Sequence, residues 1–469
     1  MRNNCGDVKS NLSGQEKLRT LPQIEKILQA PALKKFIQNH SQKTVADVAR
    51  EVVNSFRKNI LKGKEKVSEK KILKEIQKIL LERQTLSLKA VINGTGVIIH
   101  TNLGRAPLSE DTIKYISDIG KNYSNLEFDL LKGKRGERTS FLENLICELT
   151  KAEGALVVNN NASAVLLILA GLAKGKEVLV SRGELVQIGG GFRVPEVMEE
   201  SGAFLKEVGT TNQTSVKNYE NNINENTSLI LKVHKSNFRM EGFVGEATLK
   251  ELVNLGKKYN IPVVQDLGSG CFLNSEDFGL AHEPTPFDSI NSGVDLVSFS
   301  GDKLLGGPQS GIILGKRKYT DFLRKYPLYR ALRVDKLIIS GLENVILTYL
   351  KKEATKKIPV WQMISIPLKD LRKRALEIQK ELKKLNVKLI INESKSTVGG
   401  GSLPGETLPT IVISTDSKLS PNSQAQKFRN QSPPIIGRVE KDKFILDLRT
   451  IFLHQDEEVL QSVKKVFSK

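Results

Sequence analysis

Residues 294–316 read VDLVSFSGDKLLGGPQSGIILGK: two short apolar runs joined by a turn that holds one lysine, Lys303, among glycines. Runs of four to six residues rich in Val, Ile and Leu suit strands buried on both faces of a sheet. The same texture recurs at ALVV (155–158), EVLVS (177–181), SLILKV (228–233) and IPVVQD (261–266), with helical patterns between. Strands alternating with helices predict an α/β domain whose sheet is mainly parallel, with crossover helices on its faces. In such sheets ligands bind beyond the carboxyl ends of the strands, so the polar residues that end each run are candidates for chemistry.

Three of those ends combine. Lys303 follows the run ending at Ser300, and a lysine in a cramped, desolvated turn can be neutral enough to form a Schiff base. Taken singly, most turn lysines are solvated. Asp266 closes IPVVQD, where a carboxylate can pair with a protonated pyridine nitrogen; alone it reads as a strand-end turn residue. Asn160-Asn161-Ala162-Ser163 joins a strand to a helix beginning near Ala162, and the free N–H groups of a helix start can hold a phosphate. Ordinary helix capping would look the same.

Outward from this centre, the chain divides into three segments. Residues 1–85 read as a basic helical module. Thr44 with Asp47 makes a capping-box pattern, after which Val45, Val48, Ala49, Val52, Val53 and Phe56 recur at the spacing of one helical face, with Arg50, Arg57 and Lys58 opposite. A second helix, about 68–83, places Ile72, Ile76, Ile79 and Leu80 together, and 61–67 is a basic connection. Residues 86–364 are expected to form the large catalytic domain, and 365–469 a smaller α/β domain beginning with a lysine-rich helix at 368–385. Strand runs at 388–391, 408–414 and 443–448 and a last helix at 457–467 complete it.

Composition narrows the function classes. At 469 residues the chain exceeds what one core supports. No stretch approaches the roughly eighteen apolar residues of a membrane helix, and MRNNCGDVKS lacks a signal-peptide core, so a cytoplasmic protein with no membrane partner is expected. Cys5, Cys147 and Cys271 are widely spaced, and the histidines never pair at i, i+4, so neither a disulfide framework nor a metal site is expected. The net charge is +20, and residues 1–90 hold twenty Lys/Arg against nine Asp/Glu, about half of that excess. A basic helical surface without aromatic platforms suits RNA backbone rather than base reading; a dimerisation or packing role stays open beside it.

The longer motifs carry a resemblance. INGTGVIIHTNLGRAPL (92–108), YSNLEFDLLKGKRGERTSFLE (123–143), SRGELVQIGGGFRVPEVM (181–198), GTTNQT (209–214), VHKSNFRMEGF (233–243), QDLGSG (265–270), SFSGDKLLGGPQSGII (298–313), YRALRVDK (329–336) and VGGGSLPGETLPT (398–410) are similar to bacterial selenocysteine synthases. These are the L-seryl-tRNA(Sec) selenium transferases, which are fold-type I pyridoxal-phosphate enzymes of the aminotransferase-like kind. The likeness runs along nearly the whole chain, from LPQIEKIL (21–28) onward.

The resemblance implies that Lys303 carries pyridoxal 5'-phosphate, with Asp266, Ser300 and the segment Asn160, Asn161, Ala162 and Ser163 around it. It implies catalytic arginines at Arg105, Arg330 and Arg333, the last two at a spacing that could share one helical face. Guanidinium groups match an anionic donor such as selenophosphate. The implied reaction converts tRNA(Sec) charged with serine to selenocysteinyl-tRNA(Sec) through a cofactor-bound aminoacrylyl intermediate. The family assembles as a homodecamer, a pentamer of dimers, with Thr210 and Thr211 at an interface. His234 or Gln187 could approach the cofactor ring, although a packed core histidine fits the former equally; Cys271 is not expected to act as a nucleophile. Two other readings stand beside this one: a related pyridoxal-phosphate ammonia lyase acting on a phosphorylated amino acid or amino sugar acid, and a non-catalytic RNA-binding protein.

Overall fold

The computed structural model describes residues 18, 21–62, 68–84, 86–188, 191–384 and 387–467. Cys5, most of the basic connection at 61–67 and Leu385 lie outside these residues. The chain forms two compact units, Met1–Ala90 and Val91–Lys469.

The first unit is helical: Ile24–Leu28, Pro31–Asn39, Gln42–Leu61 and Glu69–Gln84. Its core joins Ile27, Leu33, Val45, Val48, Ala49, Val52, Val53, Ile72, Ile76 and Leu80, the faces that the helical spacing marks as apolar; Phe56 and Ile79 pack at its margin. Arg50, Arg57 and Lys58 are exposed. The long helix starts earlier than the Thr44–Asp47 pattern predicts. Ser41 is the N-cap, its Oγ accepting the Thr44 N–H at 3.2 Å. Asp47 bonds Arg50 instead, at 2.7 Å. Two hydroxyl residues three apart compete for one capping role, and the upstream one captures the first free N–H groups.

The second unit is built on a seven-stranded sheet ordered Gly154–Val158, Gly311–Gly315, Leu296–Ser300, Val263–Gly268, Thr227–Val233, Glu177–Ser181 and Phe204–Val208. Gly311–Gly315 runs antiparallel to both neighbours, and the other pairings are parallel. Apolar clusters cover both faces, which is why the central strands read as unbroken apolar runs. All strands except Gly311–Gly315 point the same way, so Val158, Ser181, Val233, Gly268 and Ser300 finish along one edge, with Asp266 two residues before its strand's end.

A six-stranded sheet with helices Leu368–Lys384, Pro421–Arg429 and Asp456–Phe467 follows. Its strands Leu389–Gly399, Ser402–Thr415, Ile435–Glu440 and Lys443–Asp447 are antiparallel neighbours where they pair. Its two outer strands, Ile92–Gly94 and Val97–Ile99, come from a segment that the sequence reading assigned to the large domain; they pair in parallel with Ile435–Glu440 and Leu389–Gly399. Gly399 and Gly400 turn the long hairpin at φ +77° and +66°, and a Cβ on either would stand 2.4 Å from Val97 or Ile99. Only glycine lets the turn lie against that outer strand.

Candidate active site

Lys303 sits in the turn after Leu296–Ser300. The turn is held by backbone hydrogen bonds from Gly301 N to Ser310 O (2.8 Å), Gly307 N to Gly301 O (2.9 Å) and Leu304 N to Ser269 O (3.0 Å). With its loop fixed at both ends, the side chain is buried with 6% exposure, near Asp266 with 4%. Burial pushes the Lys303 amine down from the ordinary lysine range, and nearby Arg105 adds to this, while Asp266 and Asp302 oppose it. Burial likewise raises the Asp266 carboxyl, against the pull of Asn161, Lys303 and His234. Taking charge out of water thus drives both groups towards neutrality.

The helix Asn161–Leu172 begins beside them. Asn160 is its N-cap, accepting the Ser163 N–H at 2.8 Å, so the N–H groups of Asn161 and Ala162 have no acceptor within the helix. Asn161 turns its amide towards the carboxylate: Nδ2 donates to Asp266 Oδ1 at 2.7 Å, and Asn161 Oδ1 is buried without a partner. The sequence predicts Asn161 in a phosphate cradle; its side chain instead bonds the Asp266 carboxylate. Ser300 is buried at the strand end, paired with Gly311.

Two glycines leave room at the amine. A Cβ on Gly268 would stand 3.9 Å from Lys303 Nζ, and one on Gly401 3.7 Å. Both would also approach Ser236 Oγ, at 3.7 and 3.6 Å. Gly401 belongs to the long hairpin of the second sheet, so that sheet supplies one wall of the centre. Gly401 and Ser236 stand in motifs quoted above, but neither carried a role there; only a fold that brings residues 236 and 401 to residue 303 reveals one.

The arginines separate. Arg105 takes a left-handed φ of 63° and bonds Asp302 Oδ2 at 2.7 Å, next to Lys303. Arg333 does not share a helical face with Arg330. The helix Pro327–Leu332 ends before it, and Arg333 is extended at ψ 145°, bridging Val158. Arg333 lies beside the strand end that leads into Asn160, 3.9 Å from Glu127, whereas Arg330 is exposed. Gln187 is exposed and accepts from Arg193 Nε at 3.1 Å. His234 follows strand Thr227–Val233, its backbone N–H on Asp266 O at 2.8 Å. Cys271 is fully buried, and burial pushes its thiol far up, which suits packing rather than attack.

These groups fit pyridoxal phosphate: a buried amine of lowered proton affinity, a buried carboxylate one strand away, an unpartnered Asn161 oxygen and an open helix start.

Residues 91–452 match the family profile described as L-seryl-tRNA selenium transferase, and residues 18–57 that of the selenocysteine synthase N terminus. The chain is 47% identical over 451 residues to the L-seryl-tRNA(Sec) selenium transferase of Aquifex aeolicus, covering 96% of this chain and 97% of the relative. It is 45% identical over 457 residues to that of Clostridium botulinum (strain 657 / Type Ba4), covering 96% and 98%. Among solved structures, D-glucosaminate-6-phosphate ammonia-lyase superposes with a TM-score of 0.57 at 18% identity, over 82% of this chain and 97% of the other. That likeness concerns the fold alone.

Proposed function

The chain belongs to the L-seryl-tRNA selenium transferase family, and from that premise we propose that it converts seryl-tRNA(Sec) to selenocysteinyl-tRNA(Sec) with pyridoxal phosphate as cofactor and selenophosphate as donor. The observation that carries this reading is that one chain matches the family along 96% of its length and also matches the N-terminal profile. The ammonia-lyase alternative has behind it only a fold likeness at 18% identity.

When bound, the cofactor supplies an electron sink for charge developing at the seryl Cα. Lys303 would hold it through Nζ. The same Nζ is the base placed to take the Cα proton. Asp266, oriented by Asn161, would pair with the ring nitrogen and keep the sink effective, and the Asn160–Ser163 helix start would bind the phosphate. The β-hydroxyl would leave as water with the proton taken from Cα; selenium from the donor would then bond Cβ while a proton returns to Cα from Nζ, and the donor's phosphoryl group would pass to water as phosphate. Arg105, Arg330 and Arg333 hold the anionic donor. The helical unit with Arg50, Arg57 and Lys58 contacts RNA backbone. The enzyme acts in the cytoplasm as a decamer, with exposed Thr210 and Thr211 at an interface; a solution mass of ten chains checks the assembly.

The direct test incubates purified protein with seryl-tRNA(Sec) and selenophosphate and measures selenium on the tRNA. Transfer is expected; no transfer with active reagents leaves the lyase ahead.

The lowered proton affinity of Lys303 also has a consequence for cofactor loading. Attack on an aldehyde needs the neutral amine, so the loading rate should rise with pH through a midpoint below the roughly 10.4 of a free lysine. Arg105→Ala removes a repelling cation and unpairs Asp302, and both changes raise that midpoint. Long-wavelength absorbance recorded against pH after mixing checks it, and identical midpoints in both proteins refute the assigned cause.

A further inference from the structure

A cavity of about 420 Å³ opens beside the centre, lined among others by His234, Lys235, Arg239, Gln265, Glu283 and Leu403. Its size falls at the low end of the roughly 300–1,000 Å³ of small-molecule sites. Two polar atoms at its wall are buried without a hydrogen-bond partner, His234 Nε2 and Glu283 Oε1, and they stand 3.7 Å apart. Glu283 is 2% exposed and rigidly placed. Its Oε2 accepts the Leu403 N–H at 3.2 Å, and its own N–H bonds Ser275 Oγ at 2.9 Å. At 3.7 Å the two atoms are within ion-pair reach but beyond hydrogen-bond distance, and a buried carboxylate oxygen without a hydrogen bond costs free energy, so the gap suits a group that bonds both.

Position and chemistry limit what that group is. His234 directly follows Val233, the Cα partner of Asp266. Leu403 lies two residues beyond Gly401, which faces the Lys303 amine. The pair therefore sits one strand over from the reacting atoms. An atom that donates to a carboxylate and accepts from an imidazole N–H is a hydroxyl oxygen. On the same cavity wall, Lys235 and Arg239 are held in place by Glu246 (3.0 Å) and Glu406 (2.6 Å), and such cations suit a phosphodiester.

Resting on the RNA-substrate reading above, we propose that this cavity receives the 3'-terminal ribose of the aminoacylated RNA, its free hydroxyl beside the ester bridging His234 Nε2 and Glu283 Oε1. The seryl group is thereby presented to Lys303 by its own sugar, and an RNA end is distinguished from a DNA end at the point of reaction.

The test uses the full-length, cofactor-loaded protein with seryl-tRNA ending in adenosine or in 2'-deoxyadenosine. Wild type is expected to favour the ribose end by about 10–100-fold in kcat/KM, the worth of a hydrogen bond to a charged group. Glu283→Ala should abolish the preference. Glu283→Gln, which keeps an acceptor for Leu403, should reduce it several-fold and covers the case in which the alanine variant misfolds. Equilibrium binding of the two uncharged tRNAs should follow the same order. Equal transfer from both ends by wild type, as a bridging water alone would give, overturns the proposal, as does a preference untouched by both variants. Absence of transfer from either tRNA sinks the parent function instead, and this assignment with it.

Discussion

Lys303→Ala is expected to eliminate the long-wavelength absorbance of the loaded protein and to lower selenium transfer by on the order of 10³-fold or more, since the proposed reaction gives one amine two tasks, anchoring the cofactor and moving the Cα proton. The loss should not come from unfolding. Lys303 is buried with its proton affinity lowered by that burial, so alanine removes a group that is costly to keep charged there. The turn itself is held by backbone bonds to Ser310, Gly301 and Ser269, none of which involves the lysine side chain. A thermal midpoint close to wild type together with lost absorbance is therefore the predicted pair of results. Retained absorbance and transfer would remove Lys303 from the chemistry, leaving the family likeness without its catalyst.

The largest effect on stability is expected at Asp447, in the second sheet. This carboxylate is fully buried and accepts from Ser396 Oγ (2.8 Å), Thr410 Oγ1 (2.6 Å), Arg438 Nη1 (2.8 Å) and the Arg449 N–H (3.1 Å). Arg438 also reaches the Thr95 carbonyl, and a Cβ on Gly96 would stand 2.2 Å from both Arg438 Nη1 and Asp447 Oδ2. The carboxylate thus joins four strands of the sheet, its own among them, and through Arg438 the turn between Gly94 and Val97. Asp447→Ala leaves the buried Ser396 and Thr410 hydroxyls and the Arg449 N–H without that acceptor and takes one of two carboxylates from Arg438, which keeps Glu440 at 3.1 Å; at roughly 1–3 kcal/mol for each buried group left unmatched, the cost is about 3–5 kcal/mol. Denaturant unfolding should register that loss. Because Ile99 and Gly401 belong to this sheet, cofactor retention should weaken with it, although Asp447 touches none of the reacting groups. A loss under ~1 kcal/mol would mean that the network relaxes around the gap.

Much of the site was legible before any coordinates because open parallel sheets place strand ends along one edge. Lys303, Asp266 and the Asn160–Ser163 start each follow an apolar run, and reading those runs as strands was enough to bring them together. Periodicity likewise marked the core of the helical unit, since a side-chain stripe at helical spacing has few ways to be buried. Other features were not legible. Residues 92–99 form three-residue strands too short for any period to register, and they join a sheet whose other strands begin almost three hundred residues later. The i, i+3 spacing of Arg330 and Arg333 implied one helical face, but the helix stops at Leu332, where Arg333 bridges Val158. Local spacing cannot foresee a stop imposed by a strand elsewhere.

By itself the sequence determined the layered α/β architecture, the lysine, the acid and the helix start, because burial on both sheet faces leaves its mark residue by residue along the chain. Tertiary structure alone decided that Asn161 serves the carboxylate, that Gly401 comes to the amine and that His234 and Glu283 face each other unmatched. Those relations join residues far apart in sequence, and their distances depend on how whole elements pack rather than on any pattern a single segment carries.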